Sequence, residues 1–224
     1  MQRRTALLFT AAITMSLPST PAQAQDGRDT MLVVLRHAGD ASRTEDGLAP
    51  VATIRVPLPN GATASMSPAW YDLIGDLQAR LVYVAADSMR TLHTEELAAL
   101  ALAPEQAVAV ALANLERLHG APAARPWHNL QIVNGRSADY DSSYFLDRAF
   151  WRRLLAAHPQ GLVVAVPRTD LLLFAPVSDT PAVDSLRKGI AGLHSGGGDY
   201  RLSSALYLFK DDRWTVFQPA APAP

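Results

Sequence analysis

No cysteine occurs in the 224 residues, so disulfides, thiolate nucleophiles and cysteine-ligated zinc are excluded and the fold must be held by its apolar core. A chain of this size can manage that, because about 70% of its surface can be buried on folding. An excess of positive charge is also missing. Twenty Lys and Arg face 21 Asp and Glu, with no basic stripe, no Lys/Arg cluster interleaved with aromatics and no polybasic tail. That balance gives little pull on phosphate backbones or anionic lipid, so nucleic acid is not an expected partner. The six histidines lack H-x-x-x-H and H-x-H spacing, and nothing implies a metal or a cofactor.

What is present begins with an address. Arg3 and Arg4 precede an apolar stretch from Ala6 to Leu17, and Ala22-Gln23-Ala24 supplies a small-x-small cleavage site. Residues 1–24 therefore read as a secretory signal peptide. The apolar stretch is well short of the roughly 20 residues that span a bilayer, so no transmembrane anchor is expected after cleavage. The expected location is periplasmic or secreted. Removal of the leader takes two positive charges from a chain whose formal net charge is −1.

Residues 25–217 read as a single domain, followed by a flexible Pro/Ala tail over 218–224. Apolar, β-branched runs predict strands at 31–35, 52–58, 81–85, 89–93, 130–133, 162–166, 171–175, 205–210 and 214–218. The segment "APAARP", Ala121 to Pro126, reads as a connector. Helices fall between the runs. Thr94 is placed to cap one from Glu95 to about Ala101, Pro104 opens a second reaching Leu118, Asp147 caps a third, and Thr180-Pro181 opens a fourth that "SGGGD" ends. "YLFKDDRWTVF" predicts a terminal hairpin. The expected class is α+β, with a mostly antiparallel sheet of hairpins and about four helices. "LVYVAADSMRTLH" and "LVVAVPRTDLLLF" echo one another as two quasi-equivalent ββα units.

The chemical motifs are sparse. "MLVVLRHAGD" delivers Arg36 and His37 to a strand end, as the histidine phosphatases present a nucleophilic imidazole beside a phosphate-holding cation. Such an enzyme needs a second histidine at the end of a later buried strand. The strongest late strand ends instead in Pro167-Arg168, and His93, His158 and His194 sit elsewhere. Asp139 and Asp141 flank Tyr140 two residues apart, as a pair converging on one strand face would. Ser195 in "HSGGGD" lacks the strand-to-helix elbow of a serine nucleophile.

From about Asp76 to Phe217, the ordered blocks "ARLVYVAADSMRTLHTEEL", "AVALANLERL", "NGRSADYDSSYFLDRAFW", "GLVVAVPRTDLLLFAPVSD" and "YRLSSALYLFKDDRW" resemble the YtpQ-like family, domain of unknown function 1444. The resemblance implies no activity, cofactor or catalytic residue. It does single out binding candidates: Asn114 in "A-x-x-N-L", Arg168 and Asp170 in a "P-x-x-D" hairpin turn, and Asp87 at the matching turn if the ββα units are equivalent. The expectation is a non-catalytic binding or interaction domain of the cell envelope, its partner a protein or small molecule. The alternative is a phosphatase-like hydrolase using Arg36 and His37.

Overall fold

The computed structural model describes residues 27–39, 42–58, 61–85 and 88–221. Residues 1–24, read above as a signal peptide, lie outside them, as does Asp87. Thirteen strands lie in chain order in the described residues: β1 Met31–His37, β2 Ala49–Pro50, β3 Ile54–Pro57, β4 Thr63–Met66, β5 Trp70–Asp72, β6 Leu77–Ala85, β7 Ser88–Thr91, β8 Ala123–Trp127, β9 Leu130–Asn134, β10 Leu162–Arg168, β11 Leu171–Pro176, β12 Leu206–Lys210 and β13 Arg213–Gln218. The α-helices that follow β1 are α1 Thr94–Ala99, α2 Pro104–His119, α3 Arg148–Ala157 and α4 Thr180–Ser195. The architecture is α+β and its strand pairing is antiparallel throughout the described residues.

The strands form two main sheets. An N-terminal sheet runs β1-β6-β5-β2 with β7 also paired to β6, a C-terminal sheet runs β13-β12-β10-β11-β9-β8, and β3-β4 is a separate hairpin. One core joins the two sheets. It holds Leu32, Val34 and Leu81 from the first, Val164, Phe174 and Phe209 from the second, and Trp151 from α3. The other face of the C-terminal sheet, with Val163, Ala165 and Leu173, is covered by Ala182, Val183, Leu186 and Ile190 of α4. Alternation along β10 thus sends successive residues to two different cores, which explains why it reads as a continuous apolar run.

Local sequence accounts for the ends of these elements. Pro104 occupies the start of α2, where its missing N–H costs nothing. The Asp147 carboxylate accepts a bond from the Phe150 N–H and caps α3. Asp211 and Asp212 both adopt positive φ in the β12-β13 turn, as a two-residue hairpin with matching twist requires.

Several expectations need correction. "APAARP" is not a connector: Ala123–Trp127 pairs with β9 as the edge of its sheet, where Pro126 can sit with no N–H to offer. Asp139 and Asp141 are not on a strand but in a 3-10 helix, Ala138–Leu146, whose three-residue turn points them apart. The run from Ala52 shrinks to Ile54–Pro57, and β2, β4 and β5 are too short or too polar to stand out. Thr94 does not cap α1. His93 holds that place, and Glu96 accepts from its backbone N–H. Thr180-Pro181 does open α4, with Asp179 before it as the cap, accepting from the Ala182 N–H. The C-terminal segment from Gln218 is docked through Ala221: Gln218 pairs with Leu206, and the Ala221 N–H donates to Ser204 Oγ. The two ββα orders are present, but α4 packs on its own hairpin whereas α2, not α1, packs on β1.

Candidate functional site

Arg36 and His37 both belong to paired β-structure, opposite Gln78 and Leu77. Successive residues of a strand face opposite ways, so the two side chains cannot close on one phosphate. His37 Nδ1 lies 3.5 Å from Asp76 Oδ2, with the imidazole half exposed. Asp76 Oδ1 accepts from Ser203 Oγ at 2.5 Å and from the Tyr207 hydroxyl at 2.7 Å. Histidine, aspartate and serine are therefore adjacent, but in the order His-Asp-Ser. The carboxylate stands between the other two, so the imidazole is not placed to take the serine proton. Ser203 is also fully buried, and its oxygen accepts the Ala205 N–H. His194 stands near this group: burial lowers its pKa, Arg201 and His37 add to the lowering, and Asp76 opposes it. Among the described residues no cluster of three or more His, Cys, Asp or Glu is arranged to hold a metal ion.

The remaining sequence candidates are dispersed. Asn114 is buried, and its amide nitrogen donates to the carbonyls of Arg28 and Met31, fastening the start of β1 to α2. Arg168 and Asp170 form a two-point ion pair across the β10-β11 turn. Their mutual hydrogen bonding holds the Asp170 carboxyl below its usual range. Asp141 accepts from Asn134 Nδ2 and the Gly135 N–H, yet burial outweighs those bonds and raises its pKa. These three groups satisfy one another or the backbone. They do not converge on a shared pocket.

A cleft of about 520 Å³ opens elsewhere, between α2 and the start of α3. Val108, Ala109, Leu112 and Ala113 of α2 form one wall. Ile74, Phe145, Leu146 and Trp214 form the floor and opposite side, with Trp214 stacked on Phe145 at 4.0 Å. Residues 46–48 close one flank. They are held there by Arg148, whose Nη2 donates to both Asp46 oxygens at 2.7 and 2.6 Å, and by the Trp214 N–H, which donates to Asp46 Oδ2.

The charges around the cleft are unequal. Four carboxylates, Asp46, Glu105, Glu116 and Asp147, face two arginines, Arg148 and Arg152. Arg148 is paired with Asp46, and Arg152 lies 3.6 Å from Asp212. Glu105 and Glu116 have no basic side chain within 4.0 Å among the described residues. The cleft is thus apolar inside and acidic at its edge.

Sequence reasoning missed this cleft altogether. Its lining comes from five separated stretches between residues 46 and 214. The one local signal was the small pair Ala109 and Ala113, four apart on one helix face, which leaves room that larger side chains would fill. No family model, no curated protein and no solved structure matches this chain.

Proposed function

We propose that this chain is an exported, non-catalytic binding domain of the cell envelope, and that it takes a small molecule with an apolar body and a positive charge into the cleft between α2 and α3. The observation that carries this reading is the cleft itself. Its volume of about 520 Å³ and predominantly apolar lining are typical of small-molecule sites. The unpaired Glu105 and Glu116 favour a cationic group at the mouth and disfavour an anionic one. Export is supported by the three-part leader at residues 1–24. The likeness of residues 76–217 to the YtpQ-like family brings no activity to the reading.

Trp214 reports on the cleft. Titration of the mature protein with decyltrimethylammonium, followed by tryptophan fluorescence, should saturate at one molecule per chain. Decyl sulfate, with the same tail and opposite charge, should bind at least tenfold more weakly. Equal affinity for both, or no saturable signal in wild type together with none by calorimetry, would remove the basis for this function.

A hydrolytic reading has one observation in its favour: the Asp76 carboxylate beside His37 Nδ1 could orient a half-exposed imidazole as a general base. It lacks an adjacent nucleophile, and Arg36 faces away. Turnover of a generic phosphomonoester that disappears in a folded His37→Ala variant would favour that reading over binding.

A further inference from the structure

The N-terminal sheet carries an unusual pair of cations on one face. Arg36 lies opposite Gln78, which lies opposite Asp72; in the next row Val34 lies opposite Arg80, which lies opposite Trp70. Alternation puts Arg36, Gln78, Arg80, Trp70 and Asp72 on the same side, with the two arginines as diagonal neighbours. The two guanidinium groups are near enough for Arg36 to act electrostatically on Arg80.

Among the described residues neither guanidinium meets a carboxylate. Two other part-buried arginines are matched with carboxylates, Arg148 with Asp46 and Arg168 with Asp170. Here Arg36 Nη1 donates to the carbonyl of Leu35, and Arg80 Nε donates to Gln78 Oε1 at 2.6 Å. The nearby Asp72 is bonded to the Gln78 amide nitrogen. Among the described residues no carboxylate lies within 4.0 Å of either arginine. Both are half-buried, which lowers their pKa, and Arg36 lowers that of Arg80 further. They stay charged nonetheless, because arginine does not lose its proton in proteins.

Arg80 is held in position by stacking, its guanidinium carbon 3.8 Å from the centre of the Trp70 ring. The Trp70 Nε1–H is buried with no acceptor among the described residues. Against its two arginines this face sets the carboxylate of Asp72, whose Oδ1 is taken by the Gln78 amide nitrogen. Two like charges held together in partial burial are destabilising unless something anionic joins them.

We propose that Arg36 and Arg80 form a binding site for a small, doubly charged oxyanion of the phosphate or sulfate type. Two guanidinium forks offer several N–H donors to such an ion and match its charge of two. The site is independent of the apolar cleft, whose acidic edge repels the same ligand.

The test is thermal unfolding of the mature protein in inorganic phosphate and in sulfate, compared with chloride at equal ionic strength, with calorimetric titration of phosphate alongside. Wild type should be stabilised saturably by phosphate and sulfate but not by chloride. Arg36→Gln and Arg80→Gln should each weaken phosphate binding at least tenfold, and Arg36→Gln should be no less stable than wild type in chloride, because a like charge has gone. Arg36→Lys, which keeps the charge, should fold and bind with intermediate affinity. Stabilisation by chloride equal to that by phosphate, the same phosphate response in both glutamine variants, or no saturable response in wild type would each overturn the proposal.

Discussion

The Tyr207 hydroxyl donates to Asp76 Oδ1 at 2.7 Å, tying β12 of the C-terminal sheet to the turn before β6 of the N-terminal sheet across 131 residues of chain. The turn is built to admit the tyrosine. Gly75 has φ of +58°, and a Cβ there would lie 2.9 Å from the Tyr207 ring. Tyr207→Phe should cost about 1–3 kcal/mol, because a buried carboxylate loses one of its donors. Gly75→Ala should cost at least about 1 kcal/mol, since both the backbone and the ring resist it. Chemical denaturation of the two variants measures both; wild-type stability in either would show that this tie is not held as described.

The same tyrosine should make the protein sensitive to base. Burial, then the Asp76 charge, raises the Tyr207 pKa well above its ordinary value. Burial pushes that of Tyr144, which donates to the Gly120 carbonyl, up to about 12. Both phenols ionise more readily in the unfolded chain, near pH 10. Their contribution to stability is full below about pH 10 and is lost as pH rises beyond that, through about 12 for Tyr144. The decline should flatten in Tyr144→Phe and Tyr207→Phe when denaturation midpoints are followed against pH.

At the acid side the histidines act. His119 and His194 both have pKa values lowered chiefly by burial. The unfolded chain binds those protons first, near pH 6.5. Stability should be full above that point and fall as pH drops through it. Replacing both with Gln should reduce the slope between about pH 7 and 5.

Trp151 is the centre of the aromatic core. It is fully buried, meets Phe174 and Trp214 edge-on, and donates Nε1–H to the carbonyls of Tyr144 and Phe145. Trp151→Ala should cost roughly 3–5 kcal/mol. Trp151→Phe should cost less but still lose the bonds that hold the 3-10 helix to α3. Urea unfolding of the pair separates the packing contribution from the polar one.

Elements with strong local signals were legible in the sequence. The apolar runs of β1, β10 and β11 stood out because both faces of those strands are buried, and Asp147 and Pro104 marked helix starts through their own backbone chemistry. Short strands such as Trp70–Asp72 have too few residues to show a period, and β8 carries a proline whose meaning depends on lying at a sheet edge. The sites were less legible still. His37 and Arg36 are neighbours in sequence that part company in the strand, whereas Arg36 and Arg80 are 44 positions apart and come onto one face only through β1-β6 register. Ser203 and Asp76 meet only once two sheets pack, a relationship no local spacing encodes.

The most direct test of the binding account is calorimetric titration of decyltrimethylammonium into wild type and into Ala113→Trp. Ala113 is exposed on α2 and lines the cleft, so the indole fills the space without disturbing the core. The account expects saturable one-to-one binding to wild type and at least tenfold weaker binding to the variant, with the melting temperature of the free proteins unchanged. Equal affinity in the two proteins would place the ligand elsewhere and contradict it.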